Sequence, residues 1–326
     1  VAVPTIRARL RTLLRAPISP EAYRVLTLVA LVSLGVIVVS GAAVRLTGSG
    51  MGCPTWPNCE DGSLVPRGAT GEHGWIEFLN RLFTGVVSVA VVLAVLGARR
   101  LDPRRPDLTR WAWGLVVGVA AQAILGGIVV LLHVAPVAVA GHYLLSAVLV
   151  WNAVVLHHKA GGPPPLPGAP TATTPALLQR ARQMLGLGAL VLVTGTFVTG
   201  SGPHGGDEAA DRLPFAVTTV ARVHSVTVWA FLVLVVLVLR RASQGDTAAD
   251  TVGRGRVLVG AIVGQGLLGY VQYAAGVPEL LVGGHVLGSV LVWVAVVRFH
   301  LALVEPLPVD AGPAVRATPA VAPVVG

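Results

Sequence analysis

The chain has 326 residues, of which 54% are apolar and only 12% charged, and its formal net charge is +9. A mean hydropathy of +0.76 lies outside the usual range of water-soluble globular domains, so the sequence reads as an integral membrane protein. The positive charge requires no nucleic-acid partner: attraction to anionic lipid and a one-sided placement of the cations account for it, and no nucleic-acid recognition module is present.

Apolar runs of about 20 residues, long enough to cross roughly 30 Å of hydrocarbon, recur along the chain. They predict eight spans, near 23–44, 75–97, 110–133, 136–157, 177–198, 215–240, 255–275 and 279–303. The expected fold class is an all-α integral membrane protein whose eight transmembrane helices form two pseudo-symmetric four-helix bundles. Uninterrupted Val/Leu/Ala runs without alternating strands exclude an outer-membrane barrel. Residues 1–160 would form the N-terminal half and 177–305 the C-terminal half. Between them, 161–176 reads as a cytoplasmic linker containing Gly161-Gly-Pro-Pro-Pro-Leu-Pro-Gly168, and 306–326 as a disordered tail.

Before span 1 stand Arg7, Arg9, Arg11, Arg15 and Arg24. This basic-then-apolar start has the look of a signal peptide. Its apolar run is longer than the core of such a segment and continues into Gly41-Ala-Ala-Val-Arg45, so it is read as a permanent span. Arg99, Arg100, Arg104, Arg105 and Arg110 lie between spans 2 and 3, Lys159, Arg180 and Arg182 between spans 4 and 5, and Arg240, Arg241, Arg254 and Arg256 between spans 6 and 7. Arg298 and Arg316 lie on the same side. The asymmetry predicts a multi-pass protein of the inner (plasma) membrane with both termini cytoplasmic.

The loop after span 1 then lies outside, and it holds the only two cysteines, Cys53 and Cys59. An oxidising compartment favours a disulfide between them. Their spacing is too long for a thioredoxin-type pair, and without neighbouring histidines they make a weak metal site. A structural staple and a redox-active relay are both open readings.

Two stretches of the chain are versions of each other. Gln122-Ala-Ile-Leu-Gly leads to Gly141-His142-Tyr-Leu-Leu-Ser146, and Gln265-Gly-Leu-Leu-Gly leads to Gly284-His285-Val-Leu-Gly-Ser289, with 20 positions from Gln to His in each. Thr199-Gly-Ser-Gly202 likewise matches Thr47-Gly-Ser-Gly50, and the segment Arg222-Val-His224 falls on Leu79-Asn80-Arg81. The second copy therefore carries two in-span histidines, His224 and His285, where the first has His142 and Asn80.

Of the nine histidines, His157, His158 and His300 fall at cytoplasmic span ends, where snorkelling explains them. His73, His204 and His133 fall in outer loops or at a loop edge and are expected to be solvated. His142, His224 and His285 sit inside apolar spans, where a polar group is costly and faces an interior. Two facing imidazoles in a helical interior suit a haem iron held from both sides. Zinc would want a third or fourth ligand, which that depth does not offer. Glu77 precedes Asn80 and Arg81 by three and four residues, so the three share a helix face. It reads either as a helix-start carboxylate paired with Arg81 or as a general base beside the His142 pocket.

The run Gly41-Ala-Ala-Val-Arg-Leu-Thr-Gly-Ser-Gly-Met-Gly-Cys-Pro-Thr-Trp-Pro-Asn-Cys59, followed by Trp75-Ile-Glu-Phe-Leu-Asn-Arg81, resembles the first-loop and second-helix signature of the haem A synthase family. The resemblance implies a membrane oxidoreductase that converts the C8 methyl group of haem O to a formyl group by successive hydroxylations. It implies a haem b cofactor between His224 and His285, a substrate half with Glu77 as the essential carboxylate and His142 as an iron ligand, and Cys53 and Cys59 as the family's loop pair. Relatives carry a second histidine where this chain has Asn80, so here His142 alone is expected on the substrate iron, or Asn80 holds a water or oxygen beside it. Arg45, Arg81 and Arg222, near the outer span ends, are candidate partners of haem propionates. The enzyme that makes haem O is an expected partner, and a homo-oligomer is open. Two other readings compete: a membrane b-type cytochrome that only carries electrons, which leaves Glu77 and the cysteine loop without a task, and a repeat-built transporter, whose broken helices are not obvious here.

Overall fold

A computed structural model describes residues 17–68, 70–162, 174–245 and 247–304. Arg7, Arg9, Arg11, Arg15 and Arg316, most of the Pro-rich linker and the tail lie outside the described residues. Among the described residues, eight helices form, each long and apolar enough to cross a membrane. They are α1 (Pro20–Leu46), α2 (Gly71–Ala98), α3 (Pro106–Leu131), α4 (Pro136–Ala160), α5 (Pro175–Ser201), α6 (Val217–Ser243), α7 (Ala249–Ala274) and α8 (Glu279–Val304). Apart from two isolated bridges, the described residues contain no strand.

The helix ends follow local chemistry. Proline opens α1, α3, α4 and α5, where its missing N–H costs nothing. Ser19 and Thr174 cap α1 and α5 by accepting the N–H groups of Ala22 and Leu177. α7 begins at Ala249, ahead of the expected 255, because an Arg254–Asp250 pair at 2.7 Å supports a first turn outside the apolar run. α3 stops short of the expected 133 because His133 and Val134 turn to φ of 51° and 52°, and the Val134 N–H closes on the Val129 carbonyl at 2.8 Å. The same turn ends α7, with Gly276 and Val277 at φ of 79° and 64° and the Val277 N–H on the Gln272 carbonyl at 2.9 Å.

Packing repeats as well. α1 and α3 each lie against both α2 and α4, and α5 and α7 each lie against both α6 and α8. The buried positions coincide: Tyr23, Thr27 and Ala30 of α1 with Leu177, Ala181 and Met184 of α5, and Val87, Val91, Ala94 and Ala98 of α2 with Phe231, Val235, Val238 and Ala242 of α6. Leu108, Ala112, Leu115 and Val119 of α3 match Thr251, Gly255, Leu258 and Ile262 of α7 in the same way. This register pairs Asn80 with His224. It also pairs two histidines expected to snorkel. His157 Nδ1 is hydrogen-bonded to Thr27 Oγ1 at 2.9 Å, and His300 Nδ1 to the Ala181 carbonyl at 3.0 Å, at equivalent places in the two sets. A polar ring at a span end gains more from a neighbouring helix than from reaching towards water.

The sets meet through α4 and α8, with α1 on α8 and α4 on α5. The Tyr143 hydroxyl is 2.8 Å from Ser289 Oγ, and Trp293 Nε1 donates to the Ala147 carbonyl at 2.8 Å. At the disulfide end, Arg45 donates to the Thr199 carbonyl at 2.7 Å and the Gly50 N–H to the Gly206 carbonyl at 2.7 Å. A Cβ on Gly50 would stand 2.8 Å from that same carbonyl oxygen, so only glycine permits the crossing.

α1 and α2 approach most closely at Gly97, where an added Cβ would lie 2.9 Å from both Leu26 Cδ1 and Tyr23 Cδ2. Tyr23 is fully buried and has little room to yield. Gly97→Val is expected to destabilise the protein by about 1–3 kcal/mol through overpacking, read as a lower thermal unfolding midpoint in detergent. An unchanged midpoint would show that the α1–α2 contact is looser than its geometry.

Candidate functional site

The segment after α1 folds back onto the start of α2. Ser49 Oγ is hydrogen-bonded to His73 Nδ1 at 2.8 Å, and His73 is exposed as expected. His204 differs from expectation, since its Nε2 lies 2.8 Å from the Val277 carbonyl and pins the α5–α6 loop to the end of α7. Gly52 leaves no room for a side chain, because a Cβ there would meet the His73 carbonyl, and Thr70 Oγ1 donates to the Gly52 carbonyl at 2.7 Å. Cys53 and Cys59 form the expected disulfide and are fully buried.

Glu77 and Arg81 hold this loop to α2. Glu77 is 5% exposed; its Oε2 accepts the Cys53 N–H at 2.7 Å, and its Oε1 accepts Arg81 Nε at 3.0 Å and Nη2 at 2.6 Å. Arg81 also donates to three loop carbonyls, those of Cys53 at 2.9 Å, Thr55 at 3.2 Å and Asn58 at 2.9 Å. A planar fork with five donors can meet such a set, and an ammonium cannot. The carboxylate is thus paired with Arg81, as one of the two readings has it, and it is buried beneath the cysteine loop.

The in-span histidines occupy repeated settings. His142 on α4 has its Cε1 3.3 Å from where a Cβ of Gly126 would stand, and the Gln122 amide donates to the His142 carbonyl at 3.0 Å. His285 on α8 has the same neighbours, Gly269 at 3.0 Å and Gln265 at 2.7 Å. On α6, His224 lies against Gly195 of α5, at 3.3 Å from its Cβ position, with its Nδ1 3.0 Å from Thr194 Oγ1. Asn80 stands at the place of His224, bonded to Ser40 of α1 as His224 is to Thr194, with Ser40 Oγ donating to Asn80 Oδ1 at 2.7 Å. Arg222 is exposed on α6, whereas Arg45 Nε is buried without a hydrogen-bond partner.

Two observations bear on what these pockets hold. The Nδ1 atoms of His142 and His285 are buried without a hydrogen-bond partner, a costly state for a polar atom. Among the described residues, no three His, Cys, Asp or Glu side chains converge as a metal-binding set. An iron taken by these imidazoles would therefore need its remaining ligands from a macrocycle, which is the donor set a haem supplies. Thr194, Ser40 and the two glutamines went unassigned in the sequence. Their signal was present, because uncharged polar residues at repeated places inside apolar runs must be pairing with something.

Comparisons with known proteins bear on the family. A "Heme A synthase" of Lysinibacillus sphaericus is 37% identical over 121 residues, covering 36% of this chain and 38% of that protein. One of Geobacillus thermodenitrificans is 32% identical over 95 residues, 29% of each chain, and one of Shouchella clausii 34% identical over 131 residues, 39% of this chain and 43% of the relative. The chain thus spans less than half the length of the curated relatives it matches. The cytochrome oxidase assembly protein family (COX15-CtaA) matches residues 24–204, a segment that holds Cys53, Cys59, Glu77, Asn80, Arg81 and His142 and stops before His224 and His285. With more than half of its length inside that match, this eight-helix membrane protein belongs to the cytochrome oxidase assembly protein family.

Proposed function

We propose that the protein is a haem A synthase, an oxidoreductase that converts the C8 methyl group of haem O to a formyl group by successive hydroxylations, with a haem b between His224 and His285 as electron-transfer cofactor. The observation that carries the reading is the pair of equivalent imidazole pockets with no third protein ligand, one of them beneath a disulfide loop fastened by Glu77 and Arg81. The curated relatives named above support it. An electron carrier alone would have no use for that fastened loop.

When bound, haem b supplies reversible one-electron chemistry. The chain's own residues set its ligands. The Thr194 hydroxyl has one proton, which goes to the Val191 carbonyl at 3.0 Å, leaving its lone pair to accept Nδ1–H of His224. That fixes the tautomer whose Nε2 offers a lone pair to iron. Gln265 ties the backbone of His285, and Gln122 that of His142, the proposed ligand of the substrate iron. Asn80 contributes an amide where the second half has an imidazole, so the substrate haem has one strong protein ligand. Both oxygens of Glu77 are engaged, so it exchanges a proton with substrate only when the loop shifts; in the closed arrangement it positions the loop. Arg81 is committed to the same task, which leaves Arg45 and Arg222 for the anionic propionates. The disulfide end faces outward and both termini face the cytoplasm, in the plasma membrane.

Purified from cells that make haem O, the wild-type protein should yield haem A or its hydroxylated precursor beside haem B on extraction and chromatography. Haem B alone would favour the electron carrier. His224→Ala and His285→Ala should each lose most haem B, and normal content in both would sink the assignment.

Arg81→Lys should leave haem B content unchanged while releasing the loop. Reduction of the Cys53–Cys59 bond by dithiothreitol, followed by thiol labelling, should be about tenfold faster, because lysine cannot replace the multidentate fork. A wild-type reduction rate would refute the anchoring role.

A further inference from the structure

The two halves join their second and third helices by different means. In the second half, α6 and α7 are bridged by side chains of the helices themselves. The Tyr270 hydroxyl is 2.6 Å from Ser225 Oγ and accepts Trp229 Nε1 at 3.1 Å. Tyr270 is 54% and Trp229 56% exposed, so the cluster faces the lipid. It lies beside the histidines: Ser225 follows His224, and Tyr270 follows Gly269, which packs on His285.

The repeat register places Arg81, Gly85 and Gly127 where the second half has Ser225, Trp229 and Tyr270. A Cβ added to Gly85 would meet nothing within 4 Å, and the flanking Leu82 and Val86 are exposed. Gly127 follows Gly126, the residue against His142, and is covered by Trp56, whose ring atoms Cδ2 and Cε2 would stand 2.7 and 2.8 Å from a Cβ there. Trp56 arrives from the disulfide loop, not from a helix. Arg81 holds the carbonyls of Thr55 and Asn58 on either side of it. In both halves, then, one position on the second helix fastens an aromatic cover over one position on the third. In the second half that cover is part of the helical wall; in the first it rides on a loop.

We propose that Trp56 is the removable cover of a lateral opening between α2 and α3, through which the haem substrate reaches the His142 pocket from the bilayer and its product returns. The Tyr270–Ser225–Trp229 cluster seals the corresponding opening and retains the second half's haem. The identity of the substrate rests on the reading given above. A haem with a farnesyl chain partitions into hydrocarbon, with roughly 0.8 kcal/mol for each buried CH₂, so a route from the side spares it a passage through polar loops. Cofactor retention and substrate exchange are opposite requirements on dissociation rate, and a covering group is a direct way to set that rate.

The test uses the purified protein in lipid nanodiscs, loaded with haem O and mixed with excess apomyoglobin as acceptor; retained haem O and haem B are extracted and quantified at intervals. Wild type should lose haem O much faster than haem B. Gly85→Trp, which fills open space with the residue of the sealed half, should slow haem O loss about tenfold, and Trp56→Gly should speed it by a similar factor, both with haem B loss unchanged. The Trp229→Gly/Tyr270→Gly double variant should speed haem B loss about tenfold. Unchanged haem B content verifies folding of Gly85→Trp, and Trp56→Gly, altered only in a loop, stands in if that fails. Wild-type haem O loss in Gly85→Trp and Trp56→Gly, or wild-type haem B loss in the double variant, overturns the proposal. A wild-type protein that takes up no haem O removes the substrate reading and the opening's role with it, while the haem B measurement still judges the seal.

Discussion

A peptide group inside hydrocarbon has no water to bond with, and every other feature of this protein is arranged around that fact. The backbone satisfies itself within eight unbroken helices, so polar chemistry can enter the spans only as side chains, and each of those must find a partner. Most do so across a helix pair: Gln122 and Gln265 on histidine carbonyls, Thr27 on His157, Ser40 on Asn80, Thr194 on His224 and Tyr143 on Ser289. The buried Nδ1 atoms of His142 and His285 lack such a partner, as do the Tyr23 hydroxyl, Gln122 Oε1 and Asn152 Oδ1. An unpaired polar atom in a low-dielectric interior is costly, and in the two histidines it falls at equivalent places of the repeat.

The duplication gives one helical frame two fillings. Because the buried faces of equivalent helices coincide, differences at matched positions can be read as differences in use rather than in packing. Asn80 stands against His224, Arg81 against Ser225 and Gly127 against Tyr270. The loop that carries Trp56 is itself the largest departure from symmetry, and its fastening consumes both groups of the Glu77–Arg81 pair. A buried ion pair is a weak source of stability. Here its worth lies in orientation, since one guanidinium gathers three carbonyls of a disulfide-closed turn onto a helix face.

The spans, the internal repeat and the cysteine pair were all legible in the sequence, because each depends on local or periodic properties. Hydropathy summed over one helix length decides membrane crossing, and a spacing of identical residues reveals a repeat whatever the fold. Local polarity misjudged the start of α7, where Asp250 and Arg254 extend the helix beyond its apolar run. It also misjudged His157, His300 and His204, which looked like solvent-seeking rings and are all hydrogen-bonded to other parts of the chain.

The sequence by itself determined that this chain has eight stretches long and apolar enough to cross a membrane, that it repeats internally, and at which positions polar residues enter the apolar runs. Tertiary structure alone decided how those residues are spent: that Arg81 divides its donors between Glu77 and the loop, that Arg45 binds the other half, and that Trp56 settles on Gly127. The reason is geometric. A helix's register fixes which residues share its own face, but the residue opposite depends on the rotation and tilt of a neighbour far away in the chain, and those are set by the packing of all eight helices at once.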